Sequence, residues 1–115
     1  PLIPHGMSVI LNAPAVFRFT ASACPERHLE AAAALGADVS RALPEEAGEI
    51  LVDRVIETMR ALKMPNGLSA VGFEESDIPA LVEGTLPQHR VTKLSPRAAS
   101  REDLAELFAD SMRLW

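Results

Sequence analysis

The chain has 115 residues, a mass of 12.4 kDa and a formal net charge of -5, enough for one domain and too little for two. With 48% hydrophobic and 23% charged residues it is no disordered tail, and 16 acidic against 11 basic residues lack the basic footprint that nucleic acid selects. A single cysteine, Cys24, excludes an internal disulfide and a thiolate zinc cage, so a reducing compartment is the default. Surface scaling gives roughly 6,100 Å² of accessible surface for a self-contained fold of this mass.

The sequence opens at Pro1 without an initiator Met, a basic n-region or a small-residue cleavage site, so it reads as a fragment with no visible signal peptide. From Pro1 to Cys24 the one Lys, Arg, Asp or Glu is Arg18, but Pro4, Asn12 and Pro14 interrupt the apolar run. It falls short of the roughly 20 continuous apolar residues that span a bilayer, and is expected in a protein core rather than in a membrane.

Met7 to Phe19 is apolar all round, with Ser8, Asn12 and Arg18 the only polar positions, which predicts a central helix over residues 6 to 21 covered on every side. Pro14 lacks the N–H that would bond the carbonyl of Ile10, which predicts a kink or short break there. Cys24-Pro25-Glu26 opens a short helix over about 25 to 35, with Pro at its first position and Gly36 as its stop. Residues 37 to 44 read as a connector. Leu51, Val55, Met59 and Leu62 then recur at helical spacing in the longest amphipathic helix, about 45 to 63. Met64-Pro65-Asn66-Gly67 is turn chemistry, Ser76-Asp77-Ile78-Pro79 starts a fourth helix ending near Gly84, and 85 to 97 look irregular. Ser100 with Asp103 forms a capping box before Leu104, Leu107, Phe108 and Met112, the buried face of a last helix. The expected fold is all-α, a bundle of about five helices.

The chain's three histidines, His5, His28 and His89, do not close a metal site among themselves. Pro4-His5-Gly6 sets an imidazole at the entry to the most apolar helix, where a backbone-bonded histidine and a ligand are both open readings. His28 falls in an Ala-rich segment and reads as part of a solvated face, and Cys24 reads as a packing residue. Residues 85 to 97 gather His89, Arg90, Lys93 and Arg97, a set that could clamp a carboxylate or phosphate or could be a solvated loop. No glycine-rich phosphate loop, serine elbow or HExxH occurs.

Pro4-His5-Gly6-Met7-Ser8 before an apolar helix, Leu62-Lys63-Met64-Pro65, the Glu75-Ser76-Asp77-Ile78 helix, and Ser95-Pro96-Arg97 before Glu102-Asp103-Leu104 follow one another along nearly the whole chain. In this order they resemble the C-terminal helical domain of the iron-containing (group III) alcohol dehydrogenases. Asn12 to Phe17, Cys24 to Glu30, Gly84 to Gln88 and Arg90 to Leu94 are most similar to the hydroxyacid-oxoacid transhydrogenase branch.

The resemblance implies a two-domain, dehydroquinate-synthase-like enzyme. An N-terminal nucleotide-binding domain, absent from this chain, would hold NAD, and residues 1–115 would be part of the C-terminal helical domain that holds a divalent metal, iron or zinc. That family binds its metal through one Asp and three His. The Pro-His-Gly motif supplies the last of these, so His5 is the implied metal ligand and the other ligands lie before Pro1. A metal on the substrate oxygen lowers the alcohol's pKa and favours hydride transfer to nicotinamide. The implied exchange oxidises a hydroxyacid such as 4-hydroxybutyrate and reduces a 2-oxoacid such as 2-oxoglutarate. Both are anions, which gives Arg90 and Lys93 an implied substrate-binding role. The fragment alone is expected to be inactive and to hold neither metal nor NAD tightly. Its partners are then the two small acids and the missing N-terminal domain, with a homo-oligomer open and with no nucleic acid or membrane. Its location is cytoplasmic, or the mitochondrial matrix in a eukaryote. Two alternatives stand: a free-standing, non-catalytic helical interaction module, and a related iron-containing enzyme acting on a simple alcohol or aldehyde.

Overall fold

The computed structural model describes residues 2–88 and 93–115. Their regular structure is helical throughout: α1 (His5–Thr20), α2 (Pro25–Ala34), α3 (Ala47–Ala61), α4 (Ile78–Thr85) and α5 (Arg101–Ser111). No strand occurs among the described residues, so the all-α expectation holds in class and order. Short 3-10 turns join the helices, including Ala21–Ala23 after α1, Pro44–Glu46 leading into α3 and Glu75–Asp77 leading into α4. Gly36, just past α2, has φ +98°, the left-handed conformation that a glycine stop provides.

α1 runs through the middle. α3 packs against α1 and α2, and α5 packs against α1 and α4. Leu11 of α1 is fully buried and meets Ala32, Leu51, Val55, Met59, Leu68 and Met112 in one cluster. A buried side chain of this size contributes about 1.5–3 kcal/mol relative to its exposed state, so this single contact point matters to the fold.

The short break expected at Pro14 does not occur, and the expectation that α1 is covered on every side is corrected. The helix is unbroken from His5 to Thr20, and Pro14 sits within it as one of the fully buried side chains, so ring packing offsets the one missing backbone bond. Nor is α1 covered on every side. Leu11, Pro14 and Ala15 are buried, while on the opposite face His5 is exposed, Val9 is 55% exposed and Val16 37% exposed. These three residues lie at i, i+4 and i+11, one stripe of a 3.6-residue helix.

Beside that stripe, Ile10, Leu35, Val55, Met59, Leu62 and Met64 line an apolar groove of about 320 Å³. Among these, Leu35 is 43% and Leu62 is 69% exposed. The molecule is a slab of 41 × 31 × 20 Å with 7353 Å² of accessible surface, about a fifth more than the roughly 6,100 Å² expected for a self-contained fold of its mass.

Candidate metal ligand and the cationic loop

His5 is the first residue of α1, entered from an extended Pro4 at φ -57° and ψ 145°. Its carbonyl accepts a hydrogen bond from Ser8 Oγ at 2.7 Å, while its exposed imidazole has no hydrogen-bond partner among the described residues. Of the two readings of Pro4-His5-Gly6, the backbone-bonded imidazole is therefore not the one present. A neutral imidazole with a free nitrogen is a competent donor for zinc or iron, but a stable divalent site takes three or four donors. No group of three or more His, Cys, Asp or Glu that could hold a metal ion occurs among the described residues. These residues by themselves do not fit a metal ion, and at this place His5 offers one donor.

Of the expected substrate-binding residues, Lys93 is exposed at the start of a turn, and Arg90 lies outside the described residues together with His89, Val91 and Thr92. Arg97 from the same stretch is anchored. Its Nη1 donates to the carbonyl of Phe19 at 3.0 Å, and its guanidinium carbon lies 4.0 Å from the centroid of the Phe19 ring. Phe19 is fourteen residues beyond His5 on α1, about 21 Å at the α-helical rise. Arg97 and His5 thus mark opposite ends of α1, and no contact among the described residues joins Lys93 to His5.

His28 is not on a solvated face, and this expectation too is corrected. It is buried, at 7% exposure, with both ring nitrogens occupied. Nδ1 lies 2.9 Å from the carbonyl of Cys24, which can only accept, so Nδ1 carries the proton and donates it. Nε2 then accepts from the Thr20 hydroxyl at 2.7 Å. Phe17 meets the imidazole edge-on at 6.1 Å between centroids. The Cys24 thiol, 3.5 Å from a nitrogen that already bears a proton, has no base there to activate it. The cluster is structural, pinning α2 to the end of α1 across the turn. The sequence holds its signal: Cys24, His28 and Ala32 recur every four residues, and Ala32 is fully buried.

The fold and its geometry define a helical unit that offers one unpartnered imidazole at the mouth of an incompletely covered apolar helix. The chain belongs to the Fe-containing alcohol dehydrogenase family: residues 2–112 match the C-terminal part of that family. It is 61% identical over 115 residues to a mitochondrial hydroxyacid-oxoacid transhydrogenase from Xenopus tropicalis, and 56% identical over 115 residues to the Homo sapiens protein of that name. Over 114 residues it is 57% identical to a probable enzyme of the same name in Dictyostelium discoideum. All or nearly all of this chain is matched, 100%, 100% and 99%, but only 25%, 25% and 21% of those relatives. The chain therefore spans about a quarter of the length of the curated relatives it matches. Its fold is that of part of a 1,3-propanediol oxidoreductase crystal structure, with a TM-score of 0.86 at 23% identity, covering 95% of this chain and 28% of the other.

Proposed function

We propose that these 115 residues are the C-terminal helical part of a hydroxyacid-oxoacid transhydrogenase, an enzyme that moves hydride between a hydroxyacid and a 2-oxoacid through a bound nicotinamide cofactor. The observation that carries this reading is the unpartnered imidazole of His5 on the uncovered face of α1. In the whole protein His5 is one ligand of a divalent metal, iron or zinc. The remaining ligands and the NAD-binding domain belong to polypeptide preceding residue 1, and that polypeptide covers Val9 and Val16. Four-residue spacing on one helix face makes the two requirements one, because whatever packs on Val9 is brought within reach of His5.

Arg90 and Lys93 bind the substrate carboxylate. A guanidinium forks onto a carboxylate and an ammonium supplies a point charge, so either orients an acid end while the carbinol end reacts. The relatives' names place those enzymes in mitochondria, and we assign this protein to the mitochondrial matrix of a eukaryote or to the cytoplasm of a bacterium. No described helix is long and apolar enough to cross a membrane.

The test uses the full-length protein with its cofactor bound and no free nicotinamide added. Exchange between 4-hydroxybutyrate and 2-oxoglutarate is expected at a rate that exceeds oxidation of an uncharged alcohol of similar length. Separate Arg90→Ala and Lys93→Ala variants are expected to lose roughly 30-fold or more in kcat/KM for the acid, the cost of truncating one partner of a desolvated charge pair. Exchange that requires free nicotinamide, or variants that keep full acid preference, would contradict the reading.

A further inference from the structure

We propose that Asn12 sets the register of a helix that belongs to the polypeptide preceding residue 1, packs along α1 and donates a hydrogen bond to Asn12 Oδ1. The inference rests on the proposed reading of His5 as a metal ligand. His5, Val9, Asn12 and Val16 follow one another at intervals of four, three and four residues. That is the seam of a heptad pattern, the stripe that neighbouring helices of a bundle turn toward one another. Here the seam stands open, with His5, Val9 and Val16 exposed and Asn12 half-buried. Two observations favour a helix of the same protein over a separate partner. The chain spans about a quarter of the relatives it matches, so most of a protein of that size lies outside it. His5 also stands at one end of the seam and needs further donors to hold a metal, which the described residues do not group around it.

Ser8, Asn12 and Arg18 are the polar side chains of this apolar stretch, and two of them are spent within the chain. Ser8 Oγ donates to the His5 carbonyl at 2.7 Å, and Arg18 Nε donates to Glu49 Oε1 at 2.8 Å. The Asn12 amide is only half spent. Its Nδ2 donates to the Ser8 carbonyl at 2.8 Å, and because a carbonyl only accepts, that bond assigns the nitrogen and leaves Oδ1 as the free end. Oδ1 has no partner among the described residues. No fully buried side-chain nitrogen or oxygen among them lacks a partner, so Oδ1 reaches the surface. A helix laid on the seam takes this oxygen out of water, where an unpaired amide oxygen is costly, so the helix must bring an N–H or O–H to it. A polar side chain on an apolar seam is satisfied in one alignment only, which sets register. Asn12 lies seven residues from His5, about 10.5 Å along the axis, so a helix held at Asn12 is set at one level against His5.

The experiment is a crystal structure of the metal-loaded, full-length protein, joined to metal release from Asn12→Leu and Asn12→Asp. The structure is expected to show a helix from before residue 1 lying across His5, Val9, Asn12 and Val16, with an N–H or O–H donor within about 3.2 Å of Asn12 Oδ1. Asn12→Leu keeps the seam apolar and removes the acceptor. It is expected to keep the helical signal and to lose metal to a chelator several-fold to about tenfold faster than the parent, the worth of one net hydrogen bond. Asn12→Asp keeps the acceptor and loses the donor to Ser8, and is expected to retain metal better than Asn12→Leu. Metal release equal in Asn12→Leu and the parent, or faster in Asn12→Asp than in Asn12→Leu, would overturn the inference. So would an Oδ1 that meets substrate, cofactor or water alone, or a seam covered by a second copy of the chain, and each of these leaves His5 standing as a ligand. A His5 that touches no metal in the loaded crystal would overturn the reading of His5 and the inference with it.

Discussion

Ser100 and Asp103 hold the first turn of α5 by reciprocal bonds. The Ser100 N–H donates to Asp103 Oδ2 at 2.9 Å, and the Asp103 N–H donates to Ser100 Oγ at 3.1 Å. The Ser100 N–H, then its hydroxyl, and then the nearby Arg97 charge hold the Asp103 carboxyl below its ordinary value of 3.8. A carboxylate whose pKa is lowered on folding contributes stability that is present above 3.8 and is lost as pH falls through the folded value. The stability gap between the parent and Asp103→Asn should therefore be present at pH 7 and close on acidification below about 3.8, as read by urea denaturation at both ends. A gap that persists undiminished at pH 2 would contradict it. Ser100→Ala should cost about 1 kcal/mol by the same measurement. This box was legible because its three-residue spacing is a purely local signal. The burial of His28 was not seen in an Ala-rich segment, because its partner Thr20 lies eight residues back across a turn that only the packed structure brings together.

The helices were legible as elements, since Pro25, Gly36, Ser100 and the Leu51–Val55–Met59 stripe act within a few residues of themselves. What holds them relative to one another was not. The turn at Asn66-Gly67 is latched by the far end of the chain. Asn66 Oδ1 accepts from the N–H groups of Leu114 and Trp115 at 2.7 and 2.8 Å, its Nδ2 donates to the Trp115 carbonyl, and Ser69 N–H donates to Met112 O at 3.0 Å. The Arg60 guanidinium lies 5.7 Å from the Trp115 ring centroid. Gly67 has φ +84° and ψ -177°, a region that glycine alone occupies readily, and a Cβ there would stand 2.4 Å from the Met112 carbonyl oxygen. Gly67→Ala combines backbone strain with overpacking against main chain and should cost roughly 2–4 kcal/mol. Thermal denaturation showing a change within 0.5 kcal/mol of the parent would contradict the latch. The turn residues announced a turn, but a contact across 48 residues leaves no mark on local spacing.

As a whole the molecule is a slab whose long apolar helix α1 keeps one exposed stripe, His5, Val9 and Val16. The expectation that α1 is covered on every side came from composition and is correct physics for a helix of this kind. It fails within this chain because Val9 and Val16 face outward. With no cluster of three or more metal-ligating donors among the described residues, the isolated chain should be helical by circular dichroism, bind an apolar dye at the groove beside Leu62, and retain no divalent metal through dialysis. Stoichiometric metal that survives dialysis would contradict this. The expectation that His5 is a ligand came only from the run of residues around it, since one imidazole at a helix entry has no distinguishing period. Its exposure and lack of a partner are what the structure adds. The most direct test of His5 as a metal ligand is the metal content of the full-length protein carrying His5→Ala, measured together with turnover and circular dichroism. Metal and turnover should fall together while the helical signal is retained, whereas a variant that keeps full metal content and normal turnover would show that His5 is no ligand.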